Sequence, residues 1–84
     1  MSQLNAYLLL IPKLFSSRII LAALKRAGFA VVSQKGSHIK LRGVRNGRLL
    51  TVIVPNHSEV ARGTFGSILR QADMTQKEFE SFVR

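Results

Sequence analysis

The sequence has no cysteine and few acidic residues, four among 84. Without cysteine the chain forms neither disulfides nor thiolate ligands, a composition typical of reducing compartments, so we expect a cytoplasmic protein. Hard cations need clustered carboxylates, whereas the acidic residues here begin only at Glu59. The two histidines, His38 and His57, lack a metal-ligand spacing, and no glycine-rich segment has the pattern of a nucleotide-binding loop. We therefore expect no metal and no other cofactor.

Long hydrophobic runs are missing as well. The apolar stretch near the N-terminus covers residues 7–11, far short of the roughly 20 residues that a membrane helix needs. No basic residue precedes Lys13, whereas a secretory signal begins with basic residues. We therefore expect no membrane partner. We expect residues 1–12 to be an N-terminal extension whose structure the sequence leaves open, and residues 13–84 to form a single domain.

The chain is rich in positive charge. Thirteen Lys and Arg residues outnumber the four acidic ones, which gives a net charge of +9, and nothing acidic precedes Glu59. Such a field attracts polyanions at long range, and each contact with a phosphate releases counterions. Nucleic acid is therefore the expected partner. The alternative is that the charge serves solubility alone.

Two segments repeat apolar residues at helical spacing. The first predicts a helix over residues 17–27, with Ser16 or Ser17 as its N-terminal cap. The second predicts a helix over residues 63–72, with Thr64 near its start as a capping residue.

A third, shorter helix is predicted at the C-terminus. Thr75 and Glu78 have the spacing of a capping box, in which each side chain accepts a hydrogen bond from the backbone of the other residue. The buried side of this helix is expected to consist of Phe79, Phe82 and Val83.

Between the first two helices the apolar period changes to two, which predicts three strands. They cover residues 29–34, 38–42 and 48–54, joined by residues 36–37 and 43–47. Pro55 ends the third strand because proline has no N–H to donate. The order α-β-β-β-α with a short C-terminal helix predicts an α+β fold, in which helices cover one face of a three-stranded antiparallel sheet. The other face is expected to be open.

The middle strand determines what that open face presents. Successive side chains alternate between the two faces of a sheet. Ile39 and Leu41 therefore point one way, while His38, Lys40 and Arg42 point the other. We expect the histidine to share the open face with two cations.

Histidine acid–base chemistry is the chemistry that these residues favour. An imidazole gains or loses a proton near neutral pH, and RNA carries an internal nucleophile in its 2′-hydroxyl. A base can therefore start strand cleavage without a metal or a protein nucleophile. Lys35, Lys40 and Arg42 could hold the phosphate and offset its developing charge. Ser37 is not expected to act as a nucleophile beside His38, because neighbours along a strand face opposite ways.

Five segments give the sequence a resemblance to a known family. They are LKRAGF at 24–29, QKGSH at 34–38, VIVPNH at 52–57, GTF at 63–65 and ILRQA at 68–72. With this set the chain resembles, over residues 13–84, the HicA-type toxins, which are small messenger-RNA ribonucleases paired with HicB antitoxins. The resemblance implies a fold like the double-stranded-RNA-binding domain, an active histidine at position 38 and a HicB-like antitoxin that covers it. The chain departs from the family pattern in residues 1–12 and at Asp73, where glycine is common.

These arguments give a set of candidate site residues. We expect His38 to be the catalytic residue of an endoribonuclease that cleaves mRNA. The expected RNA-binding residues are Lys35, Ser37, Lys40, Arg42, Arg45 and Arg48. His57 is expected to be a loop or capping residue, because Pro55 and Ser58 indicate a turn. A non-catalytic RNA-binding module and a basic subunit for an acidic protein partner are the alternative functions.

Overall fold

The computed structural model of the protein describes residues 14–84. Within this range the elements are helix α1 (Ser17–Arg26), strands β1 (Ala30–Lys35), β2 (His38–Arg45) and β3 (Arg48–Pro55), and helices α2 (Arg62–Gln71) and α3 (Gln76–Ser81). The strands form one antiparallel sheet in the order β1-β2-β3. This arrangement confirms the predicted α+β fold. The expected extension over residues 1–12 lies outside the described residues.

The helices cover one face of the sheet, and the core lies between the two layers. Its buried side chains include Ile39, Leu41, Val52 and Val54 of the sheet, Ile20 and Leu24 of α1, Ile68 of α2 and Phe79 of α3. Next to them the rings of Phe15, Phe65 and Phe79 pack with centroids 5.0–5.3 Å apart, a favourable separation for aromatic rings. Phe82 and Val83 follow α3 and are half-buried against this core.

Two of the predicted helix caps are confirmed. Ser16 caps α1, and its hydroxyl accepts a hydrogen bond from the N–H of Ile19 at 3.2 Å. Thr75 and Glu78 form the capping box of α3 in both directions. Each cap satisfies backbone N–H groups that have no partner within their own helix.

The predicted capping role of Thr64 is wrong. Helix α2 begins at Arg62, and the residue before it, Ala61, makes no side-chain cap. The start of α2 is fixed by packing, because Val60 is fully buried and its N–H donates to the carbonyl of Phe15 at 2.9 Å. Thr64 therefore lies inside the first turn of the helix.

The predicted connection over residues 43–47 is also wrong. Strand β2 continues to Arg45, and the turn consists of Asn46 and Gly47 alone. Both have positive φ, +53° and +76°, the pattern of the tight hairpin turn that matches strand twist. Gly43, which suggested a loop in the sequence, is a residue of β2, and the backbone of Gly28 and the ring of Phe29 pack closely against its Cα. A Cβ there would lie 2.8 Å from the carbonyl oxygen of Gly28 and 2.8 Å from the Phe29 ring.

This close approach predicts that Gly43→Ala destabilises the fold. The added methyl group must displace backbone at Gly28 and a core ring, so we expect the free energy of unfolding to fall by about 1–3 kcal/mol. Urea denaturation measures the change. The matched control is Gly63→Ala in α2, where a Cβ would meet nothing within 4 Å and where alanine favours the helix. Equal stability of the Gly43 variant and the wild type would contradict the packing described here.

Candidate functional site

The open face of the sheet carries the side chains that β2 turns away from the helices. Ile39 and Leu41 are buried, whereas His38 and Arg42 are exposed and Lys40 is half-buried. This pattern confirms the predicted alternation along β2. The cause is the period of the strand, since burial of one face leaves every second residue on the other.

Cross-strand pairing adds a further cation to this face. Lys35, the last residue of β1, lies directly opposite His38, and directly opposite residues share a face. Arg42 lies opposite Thr51 of β3 and donates from its Nε to the Thr51 hydroxyl at 3.3 Å. The structure therefore brings Lys35, His38, Lys40 and Arg42 together as one line, which we call the cationic row.

Ser37 lies in the turn between β1 and β2, next to the cationic row. Its side chain is exposed, and its carbonyl oxygen accepts a hydrogen bond from the N–H of Asn56 at 2.6 Å. The turn that leads into His38 is thus joined to the loop that follows β3.

Arg45 and Arg48 lie away from the cationic row. They face each other at the far end of the β2–β3 hairpin, on the side of the helices. Arg45, with 15% of its side chain exposed, makes an ion pair with Glu78 at 2.7 Å, and Arg48 pairs with Asp73 at 3.1 Å. The structure does not bring these two predicted RNA-binding residues together with His38.

Hydrogen bonds, more than the ion pairs, shift the pKa values of the two carboxyl groups. Hydrogen bonds from Asn46 and Arg48 hold the pKa of Asp73 below its ordinary value. Hydrogen bonds from Thr75, followed by the charge of Arg45, hold the pKa of Glu78 below its ordinary value. Both effects favour the ionised carboxylates at the far end of the hairpin.

The cations of the cationic row have no such partners. Among residues 14–84, the ion pairs are those of Arg45 and Arg48, and no carboxylate pairs with Lys35, Lys40 or Arg42. Their positive charge is therefore available to an anionic ligand on the open face.

A cleft of about 470 Å³ lies where the cationic row meets α2. It is lined by His38, Ile53 and Pro55 of the sheet, His57, Glu59 and Ala61 of the following loop, and Thr64, Ser67 and Gln71 of α2. Gln71 closes the edge of the sheet here, because its Oε1 accepts the N–H of Ile53 at 2.9 Å. Its Nε2 donates to the hydroxyl of Ser67 at 3.1 Å.

Two features of this cleft escaped the sequence analysis. The first is the polar side of α2, formed by Thr64, Ser67 and Gln71, and its signal is their helical spacing. The second is the approach of His57 to His38. Its signal is the hairpin itself, since His38 and Pro55 are equally far from the Asn46–Gly47 turn and so lie opposite each other.

The described part of the chain contains neither a metal-ligand cluster nor a membrane-spanning helix. Across residues 14–84, no group of three histidine, aspartate or glutamate side chains is arranged to hold a metal ion. None of the helices in this range combines the length and the hydrophobicity of a membrane span.

Comparison with known proteins decides the family. The family model described as the HicA toxin of bacterial toxin-antitoxin systems matches residues 17–74, which is more than half of the chain. The chain belongs to the HicA toxin family. A search of curated proteins found no match. The match includes α1, the whole sheet and α2, so the cationic row and the cleft belong to the HicA region.

The backbone conformation at position 73 explains why glycine is common there and why aspartate is accepted. In this HicA family member Asp73, the second residue after α2, has a φ of +52°, in the left-handed region that glycine adopts without strain. Aspartate tolerates this conformation better than most residues. The carboxylate also gains hydrogen bonds from Asn46 and Arg48.

The lowered pKa values predict how stability depends on pH. The carboxylates of Asp73 and Glu78 stabilise the fold above the ordinary carboxyl pKa of about 4, and this contribution disappears as pH falls through their lowered values. The double variant Asp73→Asn, Glu78→Gln should therefore have a lower Tm than wild type near pH 7. Asparagine tolerates positive φ, and glutamine preserves the capping box.

The measurement is thermal unfolding followed by circular dichroism between about pH 2 and pH 7. The Tm difference between wild type and variant should shrink below about pH 4 and vanish at the acid end. Glu80→Gln is the control, since this exposed carboxylate makes no ion pair within residues 14–84 and accepts a long hydrogen bond from Gln76 at 3.3 Å, so its loss should affect Tm little. A Tm difference that stays constant with pH would contradict the assignment.

Proposed function

We propose that this member of the HicA toxin family is a metal-independent endoribonuclease that cleaves mRNA, with His38 as its catalytic residue. The observation that carries the proposal is the exposed His38 beside the cations Lys35, Lys40 and Arg42, none of which pairs with a carboxylate within residues 14–84. A polyanionic substrate with its own nucleophile suits this arrangement, and RNA is such a substrate.

The reaction needs proton transfer at a phosphodiester. The 2′-hydroxyl loses a proton and attacks the adjacent phosphorus, and the 5′ oxygen leaves. An imidazole in contact with the 2′-hydroxyl acts as the general base. His38 is accessible for this role because it lies at the start of β2, in the wall of the cleft.

The cations supply binding and charge stabilisation. Lys35 lies directly opposite His38, and Lys40 and Arg42 follow His38 on the same face. Their charges would orient the phosphate and offset the negative charge that grows in the transition state. Ser37 would contact RNA from the adjoining turn. Arg45 and Arg48 would act mainly through the long-range field, since their guanidinium groups are paired with Glu78 and Asp73.

The inhibitor in this proposal is a HicB-like antitoxin. The family belongs to toxin–antitoxin systems, in which a partner restrains the toxin. A protein that presents carboxylates to Lys35, Lys40 and Arg42 would complement this charge and cover His38 at the same time. Such a pair would act in the cytoplasm, where mRNA is translated.

The proposal is tested by His38→Ala. The imidazole is exposed, so its removal should change the free energy of unfolding by no more than about 0.5 kcal/mol. RNA binding should largely persist, because the cations still contact phosphates. Cleavage should fall by about 10²–10⁴-fold, the contribution of a positioned acid–base group. Gel analysis of labelled RNA, fluorescence anisotropy and circular dichroism measure cleavage, binding and folding.

The matched control is Val44→Ala, an exposed residue of the same strand and the same face outside the cleft. It should cleave at the wild-type rate. Unchanged cleavage by a folded His38→Ala protein would refute the assigned role. A wild type that binds RNA and leaves it intact would establish a non-catalytic RNA-binding module instead.

Metal independence has its own test. Cleavage should persist in EDTA and should not increase with added Mg²⁺ beyond the effect of salt on binding. Rates measured in EDTA and in a divalent-ion series at constant ionic strength check this expectation. Loss of cleavage in EDTA that Mg²⁺ restores would contradict the mechanism.

A further inference from the structure

The cleft contains a second histidine, which the proposed function does not use. His57 follows β3 in an exposed loop and lines the same cleft as His38. The two histidines come from different elements, β2 and the loop after β3, so their approach is a product of the fold. Within residues 14–84 no other histidine occurs.

Buried Ser17 holds the backbone of His57. Only 2% of Ser17 is exposed, and its hydroxyl oxygen accepts the N–H of His57 at 2.6 Å. The hydroxyl lies within donating distance of the carbonyl oxygens of Pro55 and His57, and the Ser17 N–H also donates to the carbonyl of His57 at 3.0 Å. The peptide groups of His57 are therefore fixed to the first turn of α1, while its imidazole is exposed to the cleft.

A second contact joins the two histidine segments to each other. The N–H of Asn56, next to His57, donates to the carbonyl of Ser37, next to His38, at 2.6 Å. The backbone segments that carry the two imidazoles are therefore linked directly to each other. A fixed backbone under each side chain is one part of the positioning that acid–base groups require.

Cleavage through the 2′-hydroxyl needs an acid as well as a base. We propose that His57 is the second catalytic residue and protonates the leaving 5′ oxygen while His38 accepts the 2′-hydroxyl proton. This proposal rests on the proposed function. The O2′–P bond forms and the P–O5′ bond breaks. The proton of the 2′-hydroxyl goes to His38, and a proton from His57 goes to the 5′ oxygen. The products are a 2′,3′-cyclic phosphate and a 5′-hydroxyl end.

Changing the leaving group distinguishes an acid role of His57 from a purely structural one. A 5′-bridging sulfur in place of the 5′ oxygen leaves as a thiolate, which needs no acid because thiols ionise near about pH 8.5 and hydroxyls only far above it. The experiment uses the full chain and one short RNA that the wild type cleaves at a mapped bond. The RNA is made with oxygen or with sulfur at that bond.

We expect His57→Ala to slow cleavage of the oxygen substrate by about 10²–10⁴-fold and that of the sulfur substrate by less than about tenfold. His38→Ala, which lacks the base, should slow both. Ser58→Ala, an exposed neighbour in the same loop, should cleave both at the wild-type rate. His57→Gln repeats the measurement with a side chain that retains polar groups, and circular dichroism verifies that each variant is folded.

Each outcome decides a separate point. Rescue of His57→Ala or His57→Gln by sulfur supports the acid role. Equal losses on both substrates, no loss on either, or rescue of His38→Ala alone overturns it and leaves the ribonuclease proposal in place. If the mapping step finds no RNA that the folded wild type cleaves, the ribonuclease proposal is overturned and the role of His57 with it.

Discussion

The Asn46–Gly47 turn sets the register of β2 against β3, and the arrangement of the site depends on this register. Both turn residues have positive φ, so the hairpin closes in two residues and pairs Arg45 with Arg48. Counting outward from there, Ile39 meets Val54 on the helix side, and His38 meets Pro55 on the open side. A slip of one residue would exchange the two faces of the strand.

The size of the chain makes this hairpin dependent on polar contacts. A domain of this length buries a modest apolar core, so the two ends of the hairpin need polar contacts to stabilise them. At the far end, Arg45 and Arg48 are tied to Glu78 and Asp73. At the near end, Ser17 holds the loop after β3 through several hydrogen bonds to one short segment. The far end of the hairpin is therefore stabilised by ion pairs, and the near end by hydrogen bonds to a buried, neutral side chain.

This division also separates the charges. The acidic side chains Asp73 and Glu78 neutralise the arginines that face the helices, whereas no carboxylate in the described part of the chain, residues 14–84, pairs with Lys35, Lys40 or Arg42. The open face consequently combines unpaired cations, an exposed histidine and a cleft with polar walls. The proposed function uses this combination for a polyanionic ligand, whereas the family match itself establishes a toxin of a toxin–antitoxin system.

The sequence by itself determined the element order, the single buried face and the family. These properties follow from local patterns. In any strand successive side chains point to opposite faces, so Ile39 and Leu41 lie on one face and His38, Lys40 and Arg42 on the other. Tertiary structure decided where β2 ends. In the sequence Gly43 indicates a loop, but in the fold it is the strand residue against which Phe29 and the Gly28 carbonyl pack. It also decided that Arg45 and Arg48 are paired with carboxylates and that His57 lines the same cleft as His38. The physical reason is that these contacts join residues far apart in the chain. The hairpin spacing places Pro55 opposite His38, but the ion pairs of the arginines and the Ser17 hydrogen bonds that hold His57 depend on how the helices pack against the sheet.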